Sequence, residues 1–304
     1  MRYTKGGLIW KPDGSRSWAR GYATIPTPLL LGDVIRVYFA SLDESLFGRI
    51  GYLEVDASDP SRVTYEHPDP VLDLGPLGSF DDSGVNASCV LPDEAGGLRL
   101  YYIGWQRCER VPYMLFTGLA TSAGSSQFER TRRVPVLDRT DSEPFSRSAP
   151  FVLRERDAWR MWYWSCEEWT VDHGTVHYNN VIRHATSTDG VAWTGGEIVL
   201  RPEGEEYAVG RPWVVRDGAV YRMWFSARSF SLRYTIGYAE SSDGLHWIRR
   251  SGDVLPRSEA GWDSEMVCYP AVIDTPAGRL LFYNGNRHGQ SGFGYAMIEA
   301  EIPA

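Results

Sequence analysis

Four acidic clusters stand where Pro- and Gly-bearing linkers run into segments of small and apolar residues. They are Asp81-Asp82-Ser83-Gly84, Asp141-Ser142-Glu143, Glu205-Glu206 and Trp262-Asp263-Ser264-Glu265-Met266. Carboxylates arriving from separate segments are what cleavage of a glycosidic bond requires: one protonates the leaving oxygen and the other acts as base or nucleophile. Asp82 and Glu265 are the first candidates for that pair, because each directly precedes a small-residue segment. Glu143 and Glu168 are the further catalytic candidates. For any one of these acids the competing reading is a solvated surface loop.

Basic and amide groups fall in the same segments. Asn86, Arg147, Arg211 and Tyr269 occupy equivalent places, where Arg could clamp a carboxylate or phosphate. An ion pair with a neighbouring segment is the alternative. Asp263, His184, Arg228 and His288 complete the candidate substrate-binding set. The stretch Cys166-Glu167-Glu168-Trp169-Thr170-Val171-Asp172-His173-Gly174-Thr175-Val176-His177-Tyr178 is dense in His and carboxylates, but no motif fixes a ligand geometry. It is expected to be a specificity loop, with Ser229 to Arg233 and Asn286 to Gly292 on the same rim. No metal and no cofactor is expected.

The elements that must position these groups repeat. An aromatic strand recurs as Val37-Tyr38-Phe39-Ala40, Tyr101-Tyr102-Ile103-Gly104, Trp162-Tyr163-Trp164-Ser165, Trp224-Phe225-Ser226-Ala227 and Phe282-Tyr283-Asn284-Gly285, at steps of 64, 61, 62 and 58 residues. A period of that size suits one four-stranded sheet per repeat, and such sheets bury their faces by stacking on copies of themselves. The predicted fold is therefore all-β: a five-bladed β-propeller of four-stranded antiparallel blades around a central axial pocket.

Each repeat opens on a short segment beside the axis, in four cases leading into a Pro: Ile25-Pro26, Asn86-Ala87-Ser88-Cys89, Ala149-Pro150, Arg211-Pro212 and Tyr269-Pro270. Hairpin turns follow, as at Asp93-Glu94-Ala95-Gly96-Gly97, where Gly supplies the positive φ. Ser187-Thr188-Asp189-Gly190 and Ser241-Ser242-Asp243-Gly244 each precede a Trp that is expected to enter the space between blades. One domain is expected over 1–304, with blades near 19–56, 82–130, 143–194, 206–248 and 263–302. Residues 7–10 are expected to pair beside Gly294 to Glu301 and seal the ring.

Composition narrows the classes. A net charge of −8 with a pI near 5.3 carries no footprint of a nucleic-acid binder. No apolar run approaches a membrane span, and the first ten residues lack the apolar core of a secretory signal, so a cytoplasmic location is expected. The four Cys, at 89, 108, 166 and 268, show no zinc-like spacing and are expected to be reduced and mostly buried. The expected partner is a small-molecule or oligosaccharide substrate, with oligomeric state open.

With blade count, period and acidic linkers in place, the chain resembles the five-bladed propeller superfamily of arabinanases, levansucrases and invertases. It resembles still more the uncharacterised propeller proteins of bacterial surface-polysaccharide gene clusters. The segments that carry this are Tyr101-Tyr102-Ile103-Gly104-Trp105, Trp159-Arg160-Met161-Trp162-Tyr163, Tyr221-Arg222-Met223-Trp224-Phe225, Trp262-Asp263-Ser264-Glu265-Met266 and Tyr283-Asn284-Gly285-Asn286. The resemblance implies a polar axial pocket with an Asp in the first blade, an Asp in the second and a Glu acid in the third. The first inner segment, Gly21 to Thr27, carries no carboxylate, the third opens on Phe145-Ser146-Arg147-Ser148, and only Asp82 corresponds loosely.

Three functions fit. The first is a glycoside hydrolase-like enzyme acting through paired carboxylates, whose separation would set retention or inversion. The second is an intracellular transferase, lyase or isomerase on a sugar-bearing intermediate, for which Arg147 and Arg211 would bind an anionic group. The third is a non-catalytic carbohydrate-binding propeller.

Overall fold

Runs of Val, Ile, Tyr, Phe and Trp bounded by Gly, Asp and Pro favour extended chain that packs on both faces, and the chain is all-β. The computed structural model describes residues 1–93, 96–124, 126–172, 174–231, 233–250, 252 and 254–299. Glu94, Ala95, His173, Leu232 and the 300–302 end of the last expected blade lie outside the described residues. After β1 (Arg2–Trp10) come β2 (Gly21–Leu31), β3 (Val34–Leu42), β4 (Gly48–Asp56) and β5 (Val63–Glu66). The next group is β6 (Gly84–Pro92), β7 (Leu98–Arg107), β8 (Tyr113–Ser122) and β9 (Glu129–Arg130). Then follow β10 (Arg147–Arg154), β11 (Trp159–Asp172), β12 (Thr175–Ser187) and β13 (Thr194–Leu200). The fourth group is β14 (Glu206–Asp217), β15 (Val220–Ser229), β16 (Arg233–Ser241) and β17 (Ile248–Arg249). Last come β18 (Cys268–Thr275), β19 (Gly278–Asn284), the helical turn α1 (Asn286–Gly289) and β20 (Phe293–Glu299). No helix among the described residues is long and apolar enough to cross a membrane.

Neighbouring strands within each group pair antiparallel. β1 adds to the last group, with Leu8 opposite Gly294 and Trp10 opposite Phe293. The sequence repeat predicts separate sheets. Hydrogen bonding instead joins the first four groups into one sixteen-stranded sheet and leaves β1-β20-β19-β18 as a second. The joints are single parallel bridges, Gly48 to Gly84, Phe116 to Arg147 and Asn180 to Ala208. Gly84, at the first joint, leaves room for the Trp105 ring of the adjoining β7, from which a Cβ there would sit 2.2 Å.

The X-Pro segments explain how side chains reach the centre. Pro has no N–H to give the ladder, so the strand bulges there. The register slips between Thr24 and Thr27, Ser148 and Phe151, Gly210 and Trp213, and Cys268 and Ala271. Within each slip the residue before Pro takes a left-handed φ: Ile25 at 57°, Ala149 at 47°, Arg211 at 49° and Tyr269 at 56°. Each such residue costs on the order of 1–3 kcal/mol, and the surroundings must hold it. The Ile25 N–H is taken by Asn284 Oδ1 at 2.7 Å, and the Tyr269 N–H by Ser226 Oγ at 2.9 Å. The strain redirects four side chains to one place.

Between groups the contacts are aromatic. The Asp189-Gly190 and Asp243-Gly244 turns offer their Gly carbonyls to the preceding group. Tyr101 Oη donates to Gly190 at 2.7 Å and Trp162 Nε1 to Gly244 at 2.9 Å. The indoles after these turns pack edge-on, Trp193 with its centroid 6.1 Å from Tyr101 and Trp247 6.3 Å from Trp162. A buried cluster runs from Trp18 to Ile298, and a second one gathers Tyr38, Ile50, Tyr52 and Tyr102 between the first two groups. Cys89, Cys166 and Cys268 are buried free thiols and Cys108 is exposed.

Candidate functional site

The linker acids are held by the aromatic strands. Asp81 accepts from Tyr102 Oη at 2.9 Å and pairs with Arg130 at 2.7 Å. Asp263 accepts from Tyr283 Oη at 2.9 Å and pairs with Lys5 at 2.6 Å. Glu143 accepts from Tyr163 Oη at 3.0 Å and pairs with Arg147 at 2.9 Å and Arg183 at 3.4 Å. In the fourth group, where the strand has Phe225 in place of that Tyr, Glu206 pairs with Arg249 at 2.6 Å, and the guanidinium lies 4.9 Å from the Phe225 ring centroid. Asp81, Asp263 and Glu143 thus fasten their linkers to the second aromatic of the repeat's aromatic strand, and Glu206 reaches the equivalent Phe225 through Arg249.

The remaining acids also serve local structure. Asp82 accepts from the Gly78 N–H at 2.8 Å and from Ser83 Oγ at 3.0 Å, closing its own loop. Glu265 is exposed and pairs with exposed Arg233 at 3.3 Å. Glu168 is exposed, 3.5 Å from Asn179 Nδ2 on the facing strand. His184 is turned towards Trp162, its Nε2 accepting from Arg160 Nε at 3.1 Å.

A cavity of about 510 Å³ opens where the bulged segments converge, within the usual range for small-molecule sites of about 300–1,000 Å³. Of the expected residues, Asn86, Arg211, Arg228, Tyr269 and His288 line it; Asp82, Glu143, Glu168, Glu265, Arg147, Asp263 and His184 do not. Among the described residues, no carboxylate lines it. The walls carry Trp105, Trp164, Tyr113, Tyr178 and Tyr234 together with Asn86 and Asn180. Trp105 Nε1 donates to Asn86 Oδ1 at 3.1 Å, which orients both.

Arg228 is the hub of the polar side. Its Nη1 donates to Tyr178 Oη at 2.6 Å, and its guanidinium lies 5.3, 5.3 and 5.2 Å from the ring centroids of Tyr178, Tyr207 and Tyr234. Tyr178 and Tyr234 share a hydrogen bond between their hydroxyls at 2.9 Å. Burial raises the Tyr234 and Tyr269 phenols well above 10, so both are neutral donors. The Tyr178 oxygen thus meets a cation on one side and the Tyr234 hydroxyl on the other.

Two histidines are kept neutral. Burial, then the charge of Arg160, lowers His184 from 6.5 to about 4; burial, then Arg228, lowers His288 to about 4. In the unfolded chain both titrate near the ordinary value. Between about pH 6.5 and about pH 4 the unfolded state therefore binds more protons, and stability falls as pH falls. Urea denaturation across this range should show a declining midpoint, with a shallower decline in His184→Gln. An equal slope in that variant would contradict the assignment.

Sequence reasoning missed Trp105, Trp164, Tyr113, Asn180 and Tyr234, whereas Tyr178 closes the stretch expected to be a specificity loop, two of whose residues, Val176 and Tyr178, line the cavity. Trp105 follows Ile103 by two positions in β7, so strand alternation places both on the cavity side. That signal was available from the aromatic repeat. Tyr178 and Tyr234 come from strands 56 positions apart, and no local pattern marks their meeting.

No protein-family model matches the chain. The chain is 38% identical over 304 residues to "Uncharacterized protein Rv1502" of Mycobacterium tuberculosis (strain ATCC 25618 / H37Rv), covering 98% of this chain and 100% of that protein. Among solved structures it is similar to "a glycosyl hydrolase from Bacteroides ovatus", with a TM-score of 0.75 and 14% identity over 99% of this chain and 96% of that one. It is similar to "a thermostable family-43 glycoside hydrolase", at a TM-score of 0.71 and 18% identity over 99% and 95% of the two chains. A third structure, from work on "the GH130 family of mannoside phosphorylases", aligns at a TM-score of 0.76 and 13% identity over 100% and 95%. At these identities the likeness establishes the fold, that of glycoside hydrolase-like propellers.

Proposed function

The chain belongs to the family of the Mycobacterium tuberculosis protein Rv1502, and we propose that it is a carbohydrate-active enzyme, a single-domain five-bladed β-propeller that holds a sugar in its axial cavity. The five antiparallel groups are the blades, and β1 on β20 closes the ring. The observation that carries the reading is the wall of the cavity: indoles and phenols to stack on sugar faces, amides to meet hydroxyls, and no carboxylate. Fold likeness alone does not fix chemistry, and among the described residues the cavity wall offers no pair of acids for the two-carboxylate route of glycoside hydrolysis. Tyr178, bound to Arg228, is the proton-transfer group in its place.

The test is NMR-monitored turnover of glycosides, sugar phosphates and nucleotide sugars by the wild type, Tyr178→Phe, Asp82→Asn and Glu265→Gln. Tyr178→Phe should lower kcat by about 10²- to 10⁴-fold, while the two amide variants keep wild-type turnover. Loss of turnover in both amide variants, with Tyr178→Phe active, would return the chemistry to the carboxylates.

A further inference from the structure

Arg211 is 2% exposed, lines the axial cavity, and has no ion pair among the described residues. Its Nη2 donates to Thr27 Oγ1 at 3.2 Å, while Nε and Nη1 are buried without a hydrogen-bond partner. The titratable groups that face it are Cys89 and Tyr269. Burial pushes the Cys89 thiol up to about 12 and the Tyr269 phenol well above 10, so neither supplies a negative charge. The ring of Trp213, 5.1 Å from the guanidinium carbon, is its remaining neighbour of note.

A buried cation without a counter-ion costs several kcal/mol, and chains avoid it unless something outside the fold compensates. Elsewhere this chain pairs its buried guanidiniums: Arg147 has Glu143 at 2.9 Å, and Arg183 has Glu143 and Glu167. Arg211 is in addition held in a left-handed conformation, φ 49°, that turns it to the axis. A second cation, Arg228, lines the same cavity and likewise has no ion pair among the described residues. Among the described residues the cavity thus carries two cations and no anion.

We propose that the axial cavity is a site for an anionic carbohydrate, whose carboxylate or phosphate group is the counter-ion of Arg211, with Arg228 as the second positive group. This rests on the carbohydrate reading above and names the class of sugar. The oxyanion supplies acceptors for Nε and Nη1, and binding cancels the desolvation cost that the ligand-free fold carries. Arg211 is therefore a binding residue whose presence destabilises the empty protein.

That sign makes the test specific. Melting temperature and calorimetric affinity are measured on the full chain with galacturonate, glucose 1-phosphate, galactose, glucose and inorganic phosphate, for the wild type, Arg211→Met and Arg211→Lys. In the wild type a charged sugar should bind at least about tenfold more tightly than its neutral counterpart; galacturonate against glucose 1-phosphate tells carboxylate from phosphate. Arg211→Met should lose that preference yet melt at or above the ligand-free wild type, and Arg211→Lys should keep part of it. Equal affinity of the wild type for charged and neutral sugars would overturn the inference and leave the carbohydrate reading standing. Binding of inorganic phosphate with no sugar bound would support the anion site and overturn the carbohydrate reading. The wild-type comparison decides even where a variant fails to fold, and a ligand-free Arg211→Met that folds but melts well below the wild type would make Arg211 a structural residue and overturn the proposal.

Discussion

Deleting residues 1–10 should lower the melting temperature by on the order of 10 °C or more, the largest stability change expected of any short deletion in this chain. The segment is β1, and it is the partner of β20 along almost its whole length. Without it β20 becomes an open edge with unpaired backbone groups. Three side-chain links go as well. Trp10 packs with its ring centroid 4.7 Å from Phe39 and 6.5 Å from Phe293, and burying a large apolar side chain contributes about 1.5–3 kcal/mol. Tyr3 Oη accepts from Trp224 Nε1 at 2.9 Å, and Lys5 is the cation of buried Asp263. Losing several kcal/mol moves the midpoint by about 2–4 °C for each in a chain of this size class. Calorimetry of the truncated chain beside Lys5→Met separates the strand from the ion pair: the point variant should retain most of the stability that the deletion removes. A truncated chain that melts with the wild type would show that β1 contributes little to closing the fold.

How far the sequence could be read depends on how local the signal was. The aromatic strands are legible because their pattern recurs intact: β3, β7, β11 and β15 contain four of the expected segments, and β19 contains the fifth up to Asn284, one residue short of Gly285. The X-Pro segments were legible as places near the centre, and the physical reason is visible in Ile25, Ala149, Arg211 and Tyr269, where a missing N–H and a left-handed residue bend the strand inwards. The acids misdirect attention because a carboxylate beside a small-residue segment looks the same whether it faces a substrate or a tyrosine. Their spacing was the available clue. Asp81, Glu143 and Asp263 precede Tyr102, Tyr163 and Tyr283 by 21, 20 and 20 positions, a constancy that belongs to a repeated latch rather than to a single active centre. The cage of Tyr178, Tyr207 and Tyr234 around Arg228 has no such clue, since it exists only once three strands have met. Arg211 lies between these cases: its position could be read, whereas the lack of any anion beside it could not.

Glu143→Ala should destabilise the fold by about 3–5 kcal/mol, the range for breaking a buried pair and leaving the partner charge behind. Glu143 is 3% exposed and serves three groups at once, the Tyr163 hydroxyl and the guanidiniums of Arg147 and Arg183. Arg147 would keep the Asp138 carbonyl and the Tyr163 hydroxyl as acceptors, but its charge would be buried without an anion. Exposed Glu265, paired among the described residues with exposed Arg233, should cost within about 0.5 kcal/mol when truncated. A cycle with Arg147→Met isolates the coupling: the double variant should be more stable than Glu143→Ala alone, because it removes the stranded cation along with its partner. Urea denaturation reads all four states, and ligand affinity measured on the folded fraction should not change, since neither residue lines the cavity. A Glu143→Ala chain as stable as the wild type but unable to bind or turn over a sugar would reverse this assignment and make Glu143 part of the functional site.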